Sequence, residues 1–146
     1  MPGTSDLNQP TRAFWVISGV ALLWNLVGVM TYFMSVTISP EALAAMSDAE
    51  RSLYSGIPAW VTSAYAIAVF GGSAASLALV LRKAWAVPVF VVSLVGILVQ
   101  MGHGFFMTDM LEVRGVAGAI LPLMIVVVAL YLVWFSLSSK KKRWIG

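Results

Sequence analysis

The polar side chains that could do chemistry lie inside long apolar stretches of this chain. Asn25, Thr62, Tyr65, Gln100 and His103 each interrupt a run of hydrophobic residues. Their amide, hydroxyl and imidazole groups can hydrogen-bond a ligand, and such groups are costly in an apolar medium unless they find a partner. We expect these five residues to line one polar pocket. The alternative is that they only form hydrogen bonds between helices.

His103 is the single histidine, and the chain has no cysteine. A zinc site needs three or four protein ligands, and a haem held by two histidines needs a second histidine. The sequence also has no Gly-rich phosphate loop and no Ser-His-Asp set. We therefore expect no catalytic residue, no metal and no cofactor, so the chain is not expected to be an enzyme. A pH-sensitive hydrogen bond at His103 is left open.

Four apolar segments must position these polar residues. With 60% hydrophobic and 10% charged residues, the composition is far from that of a soluble domain. Crossing the hydrocarbon core takes roughly 20 residues of helix. Runs of that length without Asp, Glu, Lys or Arg are Phe14–Met34, Ala59–Leu81, Trp85–Met107 and Val116–Leu137. The sequence predicts an all-α membrane protein, one polytopic domain over 1–146 that forms a bundle of four transmembrane helices.

The basic residues predict the orientation of this bundle. Lys and Arg concentrate on the cytoplasmic side of membrane proteins. Seven of them lie at the amino end, between the second and third helices, or after the fourth, and two (Arg51 and Arg114) lie in the other connections. Both termini are therefore expected to be cytoplasmic, and the polar pocket is expected to open toward the outer face.

The longest connection, residues 35–58, is expected to form short helices on the extracytoplasmic side. Ser39 before Pro40 is typical of a helix start, and Ser47 with Glu50 has the spacing of a capping box. This segment is expected to be a structured connector or a lid over an outward-facing cavity.

Small and polar residues recur along one face of each of the first three helices. This spacing is typical of close helix contacts in membranes, so these helices are expected to form the tight core and the fourth to face lipid. Trp24 is unusual because it lies in mid-span, away from the aromatic belts. Pro122 is expected to kink the fourth helix. The recurring residues are Ser18, Ala21, Asn25, Gly28, Tyr32 and Ser35, then Ala64, Ala68, Gly72 and Ser76, then Ser93, Gly96, Gln100, His103 and Met107.

Two charged clusters lie outside the spans. Asp109 and Glu112 are expected to be solvated or to pair with Arg114. The second cluster suits contact with anionic lipid headgroups and consists of Lys140, Lys141, Lys142 and Arg143. Because the basic residues flank apolar runs, we expect the lipid bilayer and not nucleic acid as a partner.

Several short motifs resemble those of a bacterial family of four-helix inner-membrane proteins that are loosely labelled sugar transporters. The resemblance implies a location in the bacterial inner membrane, and it implies no known substrate or binding residue. The motifs are Trp24-Asn25 with Gly28, Pro58-Ala59-Trp60, Ala68-Val69-Phe70-Gly71-Gly72, Arg82-Lys83-Ala84-Trp85-Ala86-Val87-Pro88 and Gln100-Met101.

The lack of reactive side chains favours a non-enzymatic membrane component, either an accessory subunit of a larger membrane protein or a chain that associates with itself. The alternative is a carrier of a small solute such as a sugar, which would act as an oligomer because one four-helix bundle encloses little volume. In that case Asn25 and Gln100 would line a water-filled path.

Overall fold

A computed structural model describes residues 9–146, so the predicted placement of the first eight residues lies outside the described range. Within it the chain forms helices and no β-strand. In chain order the helices are α1 (Arg12–Val36), α2 (Pro40–Ala44), α3 (Asp48–Tyr54), α4 (Ala59–Val80), α5 (Ala86–Phe106), α6 (Met110–Arg114) and α7 (Ile120–Lys141). Helices α1, α4, α5 and α7 are long and apolar enough to cross a membrane, which confirms the prediction of a four-span, all-α protein.

Helix α4 is the centre of the bundle. It packs against α1 on one side and α5 on the other, while α7 packs against α5. In α4, 39% of the residues of the apolar window are buried, against 11% in the fourth span. The fourth span is thus the least buried of the four, and its contact with lipid stays a prediction.

Small residues let α4 and α5 approach closely. A side-chain carbon added to Gly96 of α5 would lie 2.8 Å from the carbonyl oxygen of Ala64 and 3.1 Å from the nitrogen of Ala68, both in α4. Backbone atoms cannot move aside as a flexible side chain can, so only glycine fits at this crossing.

The connection between α1 and α4 contains α2 and α3, and both predicted serine caps are formed. The hydroxyl oxygen of Ser39 accepts a hydrogen bond from the N–H of Ala42 at 3.1 Å, and that of Ser47 accepts from the N–H of Glu50 at 3.2 Å. The second half of the predicted capping box is absent, because the Glu50 carboxylate instead accepts hydrogen bonds from Arg114.

The fourth span begins at Val116 as predicted, but its first residues are not α-helical. Residues 116–119 form a 3-10 turn, and α7 starts at Ile120. Pro122 therefore lies in the first turn of α7, where its missing N–H leaves no helical hydrogen bond unmade. The cause expected for a kink at Pro122 is absent.

The bundle has two distinct ends. The end that carries α2, α3 and α6 is here called the loop end, and the other the tail end. At the tail end Phe14 stacks on Phe135 with ring centroids 5.8 Å apart, and Trp144 packs edge-on against Phe14 at 5.7 Å. Ile145 is buried beside them. This apolar cluster joins α1 to α7.

Two backbone hydrogen bonds, here called the clasp, close the tail end: the N–H of Ala84 donates to the Gly146 carbonyl at 3.1 Å, and the N–H of Gly146 donates to the Arg82 carbonyl at 3.1 Å. Arg82 follows α4 and Arg143 follows α7, and both adopt left-handed conformations with φ of 58° and 59°. Each helix thus ends in a Schellman motif, in which an N–H bonds a carbonyl five residues back. The Arg82 side-chain Nε then donates to the Trp144 carbonyl at 2.7 Å. The two Schellman bonds are Lys83 to Ala78 and Trp144 to Ser139.

Candidate functional site: a cavity within the bundle

A cavity of about 640 Å³ lies between α1, α4, α5 and α7. It reaches from α6 at the loop end to Phe90 and Leu132, beyond the middle of the spans. Pockets for small molecules typically have volumes of roughly 300–1,000 Å³. Its α7 wall has no side-chain hydrogen-bonding group and consists of Leu121, Pro122, Ile125, Val128, Ala129 and Leu132.

Asn25 lies at the edge of this cavity and joins α1 to α4. Its amide nitrogen donates to the Ala21 carbonyl at 2.8 Å and to the Ser76 hydroxyl at 3.0 Å. A carbonyl oxygen can only accept, so the donor assignment follows from the contact with Ala21. Ser76 is fully buried. Asn25 therefore does what the alternative interpretation expected, because it holds two helices together.

Gly72 provides the space for this contact. A side-chain carbon at Gly72 would collide with the amide oxygen of Asn25 and would lie 2.9 Å from its amide carbon. The same carbon would come within 3.2 Å of the Ser93 hydroxyl oxygen. That hydroxyl donates to the Ala68 carbonyl at 2.6 Å, which ties α5 to α4 at the same level.

Gln100 and Tyr65 behave differently from Asn25. Both line the cavity, on α5 and α4 respectively. Across residues 9–146, neither the Gln100 amide nor the Tyr65 hydroxyl makes a hydrogen bond. The Tyr65 ring packs edge-on against Tyr32 at 5.2 Å. The expected polar pocket is therefore built by three of its five predicted residues, and two of them present unpaired polar groups.

Thr62 and His103 do not line the cavity. The imidazole of His103 instead packs edge-on against the indole of Trp60, with ring centroids 5.5 Å apart. This contact between α5 and the start of α4 accounts for the ring without a ligand. In residues 9–146 no group of three His, Cys, Asp or Glu residues could hold a metal ion.

An ion pair lies at the loop end of the cavity. Arg114, which lines the cavity, donates from Nε and one terminal nitrogen to the two Glu50 carboxylate oxygens at 3.3 and 3.2 Å. The hydrogen bond that Arg114 donates to Glu50 raises the pKa of Arg114 above its ordinary value, so the guanidinium stays charged. Arg114 thus pairs with Glu50 and not with Asp109 or Glu112, and these two exposed residues are solvated.

The cavity has a lateral opening between α1 and α7. These helices make few contacts with each other outside the tail end. A second, apolar groove of about 310 Å³ runs between them and shares Trp24, Val128 and Leu132 with the cavity. Its other lining residues are Val16, Ile17, Val20, Ala21 and Tyr131. A molecule in the cavity could therefore extend toward lipid without crossing a polar barrier.

The basic cluster at the end of α7 is exposed at the tail end. All four side chains predicted to contact lipid headgroups, those of Lys140, Lys141, Lys142 and Arg143, are solvent-accessible. The ammonium of Lys142 also lies 4.5 Å from the centroid of the Trp144 ring. The cluster is thus placed beside the clasp and is free to meet a charged surface.

Among the cavity residues that were not part of the predicted polar pocket, Trp24 and Arg114 are notable. Trp24 stood out from the sequence by its mid-span position, and that position is explained by its place at the lateral opening. Arg114 was expected only as a possible partner of Asp109 or Glu112, because its actual partner Glu50 lies 64 residues away in the chain.

No protein-family model, no curated protein and no solved structure matches this chain. The function of the cavity must therefore be argued from its own walls and polar groups.

Proposed function

We propose that this chain is a non-enzymatic component of a bacterial inner membrane that binds one small molecule, here called the guest, in the cavity between its four spans. The observation that carries the proposal is the pair of unpaired polar groups on Gln100 and Tyr65 inside a cavity of about 640 Å³. An unsatisfied polar group in apolar surroundings costs roughly 1–3 kcal/mol. A bound guest would recover that free energy.

The basic residues support a bundle with its tail end in the cytoplasm. Arg12, Arg82 and Lys83 lie at the tail end together with the exposed residues 140–143, as the positive-inside rule requires. The cavity would then lie toward the outer face, beneath α3 and α6. Reporter fusions after residue 48 and after residue 141 test this orientation, and a cytoplasmic reporter at residue 48 would overturn it.

Native mass spectrometry of the protein purified in a mild detergent tests guest binding. Wild type is expected to retain a small-molecule adduct in a one-to-one ratio. Ala129→Phe places a ring in the cavity and should abolish the adduct. Leu130→Phe is the matched control, because Leu130 is 52% exposed and is not among the lining residues. The control should keep the adduct.

The outcome against guest binding is equally specific. A wild-type protein without an adduct, or an adduct that survives equally in both phenylalanine variants, would show that the cavity is not a binding site. Helicity measured by circular dichroism identifies a variant that has failed to fold.

A second candidate function is that of an accessory or self-associating component. It is favoured by the groove between α1 and α7, whose lining residues Val16 and Val20 are each more than half exposed. A larger membrane protein or a second copy of the chain could cover this surface. The intact mass in the same spectra decides, since a stoichiometric protein partner would support this function.

A small-solute carrier, for a sugar for example, has less support. Asn25, Tyr65 and Gln100 do line the cavity, but the α7 wall offers no hydrogen-bonding side chain to a hydroxylated solute. Uptake of labelled sugars into proteoliposomes tests this alternative. Uptake that is abolished by Gln100→Leu would favour a carrier over a protein that only binds its guest.

A further inference from the structure

We infer that the guest is an uncharged lipid, which places a hydroxyl or carbonyl group against Gln100 and Tyr65 and its hydrocarbon chains in the opening between α1 and α7. The inference rests on the proposed function, because it names the chemical class of the molecule that the cavity holds. It is carried by the charge of the cavity, by its unpaired polar groups and by the shape of its opening.

The charges around the cavity favour a neutral guest. Among the residues that line it, Arg114 is the single one with a formal charge. Its guanidinium is already occupied by Glu50 through hydrogen bonds of 3.3 and 3.2 Å. An anionic group would have to displace that carboxylate, and a cationic group would find no opposite charge among the lining residues. Unpaired charge inside a membrane is costly, so the guest carries none.

The unpaired groups specify the polar end of the guest. The Gln100 amide can donate two hydrogen bonds and accept others, and the Tyr65 hydroxyl can donate and accept. A hydroxyl or a carbonyl on the guest can pair with both. These groups lie on α5 and α4, whereas the part of the cavity wall that α7 forms is apolar. The guest therefore has one polar side and one apolar side, unlike a sugar, whose hydroxyls surround the ring.

The opening specifies the rest of the guest. The cavity adjoins the apolar groove of about 310 Å³ along α1 and α7, with which it shares Trp24, Val128 and Leu132, and hydrocarbon chains can lie in this groove while remaining in the bilayer. A transmembrane helix of a partner, about 10 Å wide and 30 Å long, occupies roughly 2,000–3,000 Å³. It does not fit into a cavity of about 640 Å³. A lipid with a small headgroup fits both the cavity and the groove.

Fluorescence quenching in vesicles tests this inference. Trp24 lines both the cavity and the groove, so a variant in which the other five of the six tryptophans are replaced by phenylalanine reports on both. The protein is reconstituted in phosphatidylcholine with a small fraction of a lipid whose acyl chains are brominated, since bromine quenches indole on contact. Brominated diacylglycerol should quench Trp24 more than equal fractions of brominated phosphatidylcholine or brominated phosphatidylglycerol.

Three variants connect quenching to the cavity. Gln100→Leu removes the amide and should weaken the apparent affinity for diacylglycerol about five-fold, the equivalent of one neutral hydrogen bond. Val99→Leu changes the neighbouring residue, which is 41% exposed and does not line the cavity, and should leave the affinity unchanged. Ala129→Phe should remove the preference for diacylglycerol and serves as the second variant if Gln100→Leu fails to fold.

Each other outcome overturns the inference in a recognisable way. A preference for brominated phosphatidylglycerol, or release of the quenching by maltose, would show a guest of another class and leave the proposed function standing. Equal quenching by all three lipids together with a mass-spectrometric adduct that is not a lipid would do the same. Equal quenching with no adduct at all would overturn both proposals.

Discussion

Replacing Gly72 by alanine should destabilise the bundle through Asn25. The added carbon would collide with the Asn25 amide, so the side chain must rotate away and lose its hydrogen bond to Ser76. An interhelical hydrogen bond of this kind contributes about 0.6–2 kcal/mol, and strain from an inserted carbon in a packed core adds about 1–3 kcal/mol. We expect the free energy of unfolding to fall by roughly 2–4 kcal/mol.

The assay is reversible unfolding by sodium dodecyl sulfate in maltoside micelles, followed by circular dichroism and tryptophan fluorescence. Gly71→Ala is the matched control on the neighbouring residue, because its added carbon would lie 3.5 Å from the side chain of Ser93, an ordinary contact. That control should change the free energy of unfolding by less than about 0.5 kcal/mol. Both variants add the same methyl group to the same helix.

A double-mutant cycle isolates the cause. If the loss comes from the collision with Asn25, Gly72→Ala should cost less than about 1 kcal/mol in an Asn25→Ala background, where the colliding amide is absent. An equal loss in both backgrounds would refute the reasoning. It would place the effect on the remaining neighbour, the Ser93 hydroxyl 3.2 Å from the added carbon.

Three further predictions use the same unfolding assay. Gly96→Ala should lower the free energy of unfolding by at least about 2 kcal/mol, because its added carbon meets backbone atoms. Gly102→Ala, whose added carbon meets no atom within 4 Å, should be neutral or stabilising. Equal effects of the two variants would contradict the close crossing of α4 and α5. Arg143→Gly should stabilise the fold by about 0.5–1 kcal/mol, because glycine adopts the left-handed conformation without strain. Arg82→Gly should bring no such gain, because it also removes the hydrogen bond from the Arg82 side chain to the Trp144 carbonyl. A gain in both variants would contradict the clasp. Raising the pH from about 7 to 10 should leave the hydrogen-exchange protection of α3 and α6 unchanged. The pKa of Arg114 is raised by its hydrogen bond to Glu50, so the stability contributed by this ion pair is lost only above the ordinary arginine range.

The spans and their core could be predicted because both depend on local pattern. Length and apolarity alone define the four helices, and the observed α1 begins two residues before the predicted Phe14 and ends two after Met34. The small residues of α4 and α5 recur at helical spacing, which requires no knowledge of the partner. Gly96 was predicted on this basis to lie at a close contact, as it does.

The site was harder to predict because its parts come from distant segments. The polar residues were identifiable, but their spacing could not show that Asn25 finds Ser76 while Gln100 finds no partner. The spacing from Ser47 predicted that the Glu50 carboxylate would complete a capping box. In the structure the serine cap forms, but the Glu50 carboxylate accepts hydrogen bonds from Arg114 instead. His103, the only histidine of the chain, was expected to line the polar pocket, but its ring packs on Trp60.

The packing order of the spans has a consequence for how the protein is made. Each span packs on the one before it in the chain, α4 on α1, α5 on α4 and α7 on α5. Contacts can therefore form in the order of synthesis as the spans enter the bilayer. A three-span intermediate would present Gln100 and Tyr65 to the membrane before α7 exists. The last span to be inserted then completes the cavity and fastens it at the clasp, so a lipid could be enclosed during biogenesis rather than captured afterwards.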